Sequence, residues 1–258
     1  MKITQAIAST YMKFSKWTFV HEEIPPKAVV IGGPHTSNWD GWLMVMAFWK
    51  IGRPYKFLMK DNLSKIPVVG RFLRMIGAIS TNRRESTGMV GSLVHTAQTQ
   101  ETFTLIIAPK GTRSPRQYWK SGFYRIALET GLPVQLGFID RNTLTYGWAG
   151  NITLTGDVVA DMDKIRAFYE GKAGFYPEKG SVPRLRAEED MAARDWLLEG
   201  YAPQIHGETT PLGERLPEDV ADGVMEADGV MEAGADSDTG KATESGDGTA
   251  SGKAADKA

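Results

Sequence analysis

The chain has 258 residues, a net charge of −1 and 41% hydrophobic residues, which suffices for one domain with a substantial core, or for two small ones. It contains no cysteine and only four histidines, none paired at metal-ligand spacing, so disulfides and cysteine nucleophiles are excluded and we expect neither a metal nor a bound cofactor. No apolar run approaches the ~20 residues of a membrane span, and the first residues lack the apolar stretch of a cleaved signal peptide.

Residues 1–20 are predicted to form an amphipathic N-terminal helix. Its apolar residues recur at helical spacing with lysines around them: Ile3, Ile7, Tyr11, Phe14 and Trp17. A helix of this kind can lie in a membrane interface. It can equally pack its apolar stripe against the rest of the protein, and the sequence leaves both alternatives open.

Residues 21–206 alternate short apolar runs with helical patterns, which is typical of an α/β sheet. The predicted strands cover residues 28–33, 55–60, 78–82, 102–108 and 133–139, with an edge strand at 152–155. The predicted helices cover residues 39–50, 68–76, 86–100, 121–131, 161–170 and 187–198. We expect Ser121 to cap the fourth of these helices and Gly131 to end it in the left-handed conformation. The pattern predicts one α/β domain with a mixed, mostly parallel sheet flanked by helices.

Residues 207–258 differ from the rest of the chain in composition. They contain 13 acidic residues, four basic residues and no aromatic residue, whereas residues 1–206 carry a net charge of +8. Such a segment cannot bury enough apolar surface to offset the entropy of ordering. We therefore predict a disordered acidic tail, which either only solubilises the protein or also masks its basic body.

Two residues that can do acid–base chemistry follow the predicted strand 28–33, namely His35 and Asp40. Ligands of open α/β sheets bind beyond the carboxyl ends of the strands. If Ser37 caps the next helix, Asp40 is its third residue and points back toward His35. The carboxylate could then orient the imidazole as a base. In the alternative interpretation, Ser37 and Asp40 form only a capping box and His35 is an incidental loop residue.

Basic residues follow two further predicted strands. Arg83 follows strand 78–82, and the segment Lys110-Gly111-Thr112-Arg113 follows strand 102–108. Glycine allows close backbone approach, threonine and backbone N–H groups donate hydrogen bonds, and arginine can grip a phosphate with two. These residues predict an anion site beside His35, and the alternative is a basic turn exposed to water.

Competing signatures are missing from the sequence. There is no nucleophile elbow, no phosphate-binding P-loop and no dinucleotide fingerprint. The basic residues are dispersed and no nucleic-acid-binding motif occurs, so we expect no nucleic acid partner.

Four blocks of the chain resemble a known family. The block His35-Thr36-Ser37-Asn38-Trp39-Asp40 resembles the H-x4-D motif of the glycerolipid acyltransferases, the lysophosphatidic acid acyltransferase family. Residues 77–83 (GAISTNR) resemble the second block of that family, residues 109–114 (PKGTRS) its P-E-G-T-R-S block, and residues 132–134 (LPV) its fourth. The order and spacing fit over residues 28–170, and four blocks in order are more specific than H-x4-D alone.

The resemblance implies a glycerolipid-acyltransferase-like domain over residues 21–206. Such a domain transfers a fatty acyl group from an acyl-CoA or acyl-carrier-protein thioester to a lysophospholipid hydroxyl, with 1-acyl-sn-glycerol-3-phosphate as the expected acceptor. By this analogy His35 is the base and Asp40 orients it. The residues that would hold the acceptor phosphate are Arg83, Gly111, Thr112 and Arg113. Ser37, Asn38 and Lys110 lie in the same blocks and are further candidates.

The resemblance also implies partners and a location. The partners are a lysophospholipid, an acyl thioester and a membrane surface, with acyl carrier protein as a further candidate. The expected location is cytoplasmic, peripheral on the inner face of the cytoplasmic membrane.

Lys110 stands where the family has glutamate. This charge reversal would strengthen anion binding, change the acceptor or weaken the enzyme. The alternatives are therefore an acyltransferase for a non-phosphate lysolipid, such as an amino-lipid or glycolipid, and a non-catalytic lipid-binding homologue.

Overall fold

The computed structural model describes residues 3–60, 65–81 and 86–201. In chain order these ranges contain α1 (Ile3–Phe14), β1 (Thr18–His21), β2 (Lys27–Gly33), α2 (Asn38–Ile51), β3 (Lys56–Lys60), α3 (Pro67–Met75), β4 (Ala78–Thr81), α4 (Ser86–Thr99), β5 (Phe103–Ile107), α5 (Gly122–Thr130), β6 (Val134–Asp140), β7 (Thr145–Ile152), α6 (Val158–Tyr169) and α7 (Met191–Leu198). Two short 3-10 turns, Pro177–Lys179 and Arg186–Glu188, lie between α6 and α7.

The strands form one seven-stranded sheet in the order β1-β7-β6-β2-β5-β3-β4. All neighbouring pairs are parallel except β6 and β7, which are antiparallel. The predicted mixed, mostly parallel α/β sheet is therefore confirmed. β2 and β5 are neighbours at its centre, so the loops that follow them leave the sheet side by side.

The main core cluster packs α4, α5, α6 and α7 against the sheet, whereas a second cluster packs α2 against it. Val29 and Ile31 of β2 belong to the first cluster, and Ala28 and Val30 belong to the second. Alternate residues of a strand point to opposite faces, so the continuous apolar run in β2 reflects a strand that is covered on both faces.

Two strands differ from the prediction. The predicted edge strand 152–155 is wrong: β7 ends at Ile152, and it lies inside the sheet because β1 pairs with its outer edge. β1 itself follows directly after the predicted helical stripe and was not predicted. β7 needs a glycine at position 147, because a Cβ on Gly147 would lie 1.7 Å from the Val20 carbonyl oxygen of β1. Glycine lowers the strand signal in the sequence but permits this close backbone approach.

The N-terminal segment packs only part of its predicted apolar stripe against the rest of the protein. Its helix covers only Ile3–Phe14, since Thr18–His21 belongs to the sheet. Ala8 is buried, and Tyr11 contacts Trp42 of α2 edge-to-face with the ring centroids 5.9 Å apart. Other residues of the predicted stripe, including Ile3 and Phe14, remain largely exposed. The helix is therefore docked on α2 while part of its apolar surface faces outward.

Helix ends follow the expected signals in part. Gly131 ends α5 with a φ of 63°, as predicted. Ser121 stands at the N-cap of that helix, but its side chain makes no capping hydrogen bond, so the predicted capping role is wrong. α6 begins earlier than predicted because the Asp157 side chain accepts a hydrogen bond from the Ala160 N–H.

Some predictions fall outside the described residues, namely those for Arg83 and for the acidic tail at 207–258. Across the ranges that the structure does describe, none of the helices combines the length and the apolar character needed to cross a bilayer.

Candidate active site

His35 and Asp40 lie together at the carboxyl end of β2. The His35 Nδ1 atom is 3.1 Å from the Asp40 Oδ2 atom. The same Oδ2 atom accepts hydrogen bonds from the backbone N–H groups of Thr36 (2.7 Å) and Ser37 (2.9 Å). A carboxylate on Nδ1 favours the tautomer with its proton there and leaves Nε2 able to accept one. The geometry therefore suits an oriented imidazole base.

The capping box is also present. The Ser37 side chain accepts from the start of α2, and the Asp40 side chain accepts from the Ser37 backbone. The two interpretations of this motif are thus not exclusive. One carboxylate caps the helix and contacts the histidine, because the loop after β2 folds back over the first turn of α2.

Surrounding residues hold this loop in place. The Thr36 Oγ1 atom accepts a hydrogen bond from the Tyr176 N–H at 3.2 Å. The Tyr169 hydroxyl donates to the carbonyl oxygen of Gly137 at 2.7 Å. A Cβ on Gly33 would lie 3.0 Å from the Tyr169 ring. The end of β2 and the loop after it are therefore packed closely against the segment that follows β7.

The loop after β5 brings its predicted residues to different places. Gly111 has a φ of 68°, a left-handed conformation that favours glycine, and both Gly111 and Arg113 line a cavity beside His35. Burial lowers the pKa of Arg113, while the nearby Asp40 carboxylate raises it. Thr112 is buried away from the cavity, and its Oγ1 atom accepts from the Ser114 N–H at 3.2 Å. Its hydroxyl stabilises the turn, and its predicted phosphate contact stays a prediction.

Lys110 points into the protein. It is only 2% exposed and does not line the cavity, and its Nζ atom donates to the Lys179 carbonyl oxygen at 2.6 Å. Burial lowers its pKa from 10.5 to about 8, although the Asp40 carboxylate opposes this shift. Lys110 thus has no direct place in the cavity lining, and its predicted effect on anion binding stays a prediction. Its charge still interacts with the Asp40 carboxylate.

The depressed pKa of Lys110 predicts a pH-dependent stability. Between about pH 8 and pH 10.5 the folded chain has released this proton while the unfolded chain still holds it. The contribution of Lys110 to the free energy of unfolding should thus rise with pH, by up to about 1.4 kcal/mol per pH unit. Denaturant unfolding of wild type and Lys110→Met from pH 7 to pH 10.5 measures it. The wild-type value minus the variant value should increase across this window, and a constant difference would contradict the assignment.

The cavity beside His35 is mostly apolar and has a volume of about 340 Å³. Apolar side chains from α2, β3, α3 and β5 line it, including Trp42, Met44, Phe57, Phe72, Ile76 and Ile107. Its polar side chains are His35, Asn38, Asp40, Tyr55, Arg113 and Lys120. An apolar pocket with a few polar groups at one place suits a ligand with a hydrocarbon part and a polar head.

Lys120 is a further candidate for the site that no motif in the sequence indicated. It is only 7% exposed and lines the same cavity as Arg113 and His35. Its backbone N–H donates to the Pro109 carbonyl oxygen at 2.7 Å, which ties it to the loop after β5. Lys120 lies 13 residues after β5. It could therefore not be predicted as a residue that directly follows a strand end. A lysine just before the predicted helix at Ser121 was the available signal.

Part of the chain is similar to a known protein family. Residues 17–135 match the family model described as Acyltransferase, a segment that contains His35, Asp40, Arg113 and Lys120. Residues 17–135 are thus similar to an acyltransferase domain.

Individual proteins are also similar to the chain. The chain is 32% identical over 123 residues to a 1-acyl-sn-glycerol-3-phosphate acyltransferase of Borreliella burgdorferi, covering 45% of this chain and 48% of that protein. It is 29% identical over 104 residues to a chloroplastic 1-acyl-sn-glycerol-3-phosphate acyltransferase of Brassica napus, covering 39% of this chain and 30% of that one. The chain thus spans less than half the length of these relatives. The similarity to these two proteins covers less than half of this chain.

A solved structure is also similar. The crystal structure of the 1-acyl-sn-glycerophosphate acyltransferase PlsC from Thermotoga maritima matches with a TM-score of 0.41 and 17% identity, over 58% of this chain and 67% of that chain.

Proposed function

We propose that the protein transfers a fatty acyl group from an acyl-CoA or acyl-carrier-protein thioester to the free hydroxyl of 1-acyl-sn-glycerol-3-phosphate, producing phosphatidic acid. The observation that carries the proposal is the contact between the His35 Nδ1 atom and the Asp40 Oδ2 atom at 3.1 Å, beside an apolar cavity that also contains Arg113. The names of the relatives from Borreliella and Brassica support the same acceptor.

The proposed reaction is a direct attack without an acyl-enzyme. The His35 Nε2 atom removes the proton of the acceptor hydroxyl as the hydroxyl oxygen attacks the thioester carbonyl carbon. Collapse of the tetrahedral intermediate breaks the carbon–sulfur bond, and the thiolate leaves with the electron pair and takes the proton from the imidazolium. The products are an ester and a free thiol. Asp40 stabilises the imidazolium that forms in between.

Arg113 and Lys120 are proposed to hold the acceptor phosphate. Both are cationic side chains that line the cavity near His35, and hydrogen bonds between charged groups are stronger than neutral ones. The rest of the cavity is apolar and is proposed to take hydrocarbon. Lys110 does not line the cavity, so its charge reversal does not favour a non-phosphate acceptor.

The membrane is proposed as the place of the reaction. The acceptor is a lipid, and residues 1–206 carry a net charge of +8, which suits an anionic bilayer surface. We propose a peripheral association, with the cytoplasmic face of the cytoplasmic membrane as its location.

Thin-layer chromatography of radiolabelled products tests the activity. The purified protein is incubated with oleoyl-CoA or oleoyl-acyl-carrier protein and with lysophosphatidic acid, monoacylglycerol or an amino-lipid. Phosphatidic acid as the main product supports the proposal. Product from only a phosphate-free acceptor would overturn the proposed acceptor, and no product from any pair would favour a lipid-binding protein.

Removing a proposed phosphate ligand should affect one acceptor selectively. Arg113→Gln and Lys120→Met should each raise the KM for lysophosphatidic acid by roughly 10- to 100-fold, since a hydrogen bond to a charged group contributes about 1.5–3 kcal/mol. Any activity on monoacylglycerol should change little. Arg116→Gln is the matched control, because Arg116 is on the same loop but does not line the cavity. An equal rise of KM for both acceptors would contradict the phosphate assignment.

A further inference from the structure

α3 exposes an apolar face. Val68 is 81% exposed, Met75 is 75% exposed and Phe72 is 45% exposed. They are spaced by four and three residues, so they lie on one side of the helix. Leu73, by contrast, packs into a small core cluster with Met59 of β3 and Ala78 of β4. The helix is thus held by one side while it presents a second apolar side outward.

The charged residues within the described segment 65–81 have one sign. Residues 65–81 contain the cations Lys65, Arg71 and Arg74 and no acidic residue, and all three cations are exposed. A helix with large apolar side chains on one side and cations beside them can insert into the interface of an anionic bilayer. Exposed apolar side chains in a group also differ from the scattered ones that most surfaces carry.

The face is continuous with the cavity. Phe72 of α3 and Ile76, the residue after that helix, line the cavity that also contains His35. Trp42 of α2 lines it as well while remaining partly exposed. A lipid whose chains stay in the bilayer could enter between α2 and α3 without first exposing its hydrocarbon to water, which is unfavourable. The apolar face therefore lies where a lipid would have to pass from a bilayer into the cavity.

We infer that Val68, Phe72 and Met75, together with Lys65, Arg71 and Arg74, form the surface by which the protein docks on an anionic lipid bilayer. We call this set the α3 face. The inference rests on the proposed function for its choice of partner, and it assigns to α3 a contact that the sequence suggested only for the N-terminal helix.

Vesicle co-sedimentation of the full chain tests the inference without turnover. Wild type should bind vesicles of phosphatidylglycerol and phosphatidylcholine more strongly than vesicles of phosphatidylcholine alone. Val68→Ser/Met75→Ser should lower the partition coefficient at least tenfold. Arg71→Gln/Arg74→Gln should lower binding to the anionic vesicles and leave binding to the neutral ones nearly unchanged. Circular dichroism should show the same folded state for each variant.

Two comparisons decide whether the α3 face is responsible. The double variant Val159→Ser/Met191→Ser removes one exposed apolar side chain from α6 and one from α7. Neither Val159 nor Met191 lines the cavity, so this variant should bind vesicles like wild type. An equal loss in this control would overturn the inference. So would wild-type binding by Val68→Ser/Met75→Ser, or a loss found only in Ile7→Ser/Phe14→Ser of α1.

A second copy of the chain is the other occupant to test. Sedimentation velocity without lipid should show the same species for wild type and Val68→Ser/Met75→Ser. A wild-type dimer that the double variant abolishes would overturn the bilayer as the partner. Acyl transfer is measured separately with detergent micelles. Absence of turnover there would contradict the proposed function, whereas vesicle binding would still report on the α3 face.

Discussion

His35→Ala should lower kcat for acyl transfer to lysophosphatidic acid by about 10²–10⁴, the usual contribution of a positioned general base. The KM for the acceptor should change less, because the proposed phosphate ligands Arg113 and Lys120 are untouched. Initial rates over a range of acceptor concentrations separate kcat from KM. A loss that appears only in KM would contradict a role for His35 in the chemical step.

The fold should survive this substitution. The Asp40 Oδ2 atom keeps its hydrogen bonds from the backbone N–H groups of Thr36 and Ser37 when the imidazole is removed. Thermal unfolding should therefore stay close to wild type, and added imidazole should restore part of the lost rate. A large fall in stability without imidazole rescue would favour a structural role for His35.

Asp40→Asn should have the second largest effect, with kcat lowered by about 10²–10⁴. In a Ser-His-Asp triad the same replacement lowers kcat by about 10⁴ because the imidazole adopts the wrong tautomer. Here the amide would still accept from the Ser37 N–H but could no longer hold the proton on the His35 Nδ1 atom as a carboxylate does. Kinetics and denaturant unfolding of the same preparation measure both roles of Asp40.

Ser37→Ala is the matched control for the capping role. It removes the capping hydroxyl and should cost about 0.5–2 kcal/mol of stability, while the contact between His35 and Asp40 remains. We expect its kcat to stay near that of wild type. If Asp40→Asn and Ser37→Ala lose similar stability and both keep their activity, then Asp40 is only a cap.

The strands β2 to β6 were predictable because their sequences carry a local signal. Residues 28–33 form a continuous apolar run, and Lys27–Gly33 is a strand covered on both faces. β1 and β7 were not predictable in this way. Thr18–His21 is mostly exposed and Thr145–Ile152 contains Gly147 and Gly150, so both depend on pairing with each other.

The candidate site shows the same division. His35 and Arg113 follow adjacent strands, and the strand-end rule for α/β sheets brings them together. The direction of a side chain does not follow from this rule. Lys110 and Arg113 are three residues apart, yet they point to different places. The Lys110 ammonium is buried against the Lys179 carbonyl oxygen, whereas Arg113 lines the cavity. Residue type and spacing do not distinguish these two outcomes.

The sequence by itself determined the fold class and the positions of β2 to β6 along the chain, and it placed a histidine and a carboxylate after the same strand. These depend on apolar periodicity and on short-range capping geometry, which neighbouring residues settle. Only the tertiary structure decided that Lys120 joins the site, that Thr112 and Lys110 turn away from the cavity, and that α3 presents an apolar face at its side. Those outcomes depend on contacts between segments distant in sequence, because burial and hydrogen-bond partners exist only once the sheet has assembled.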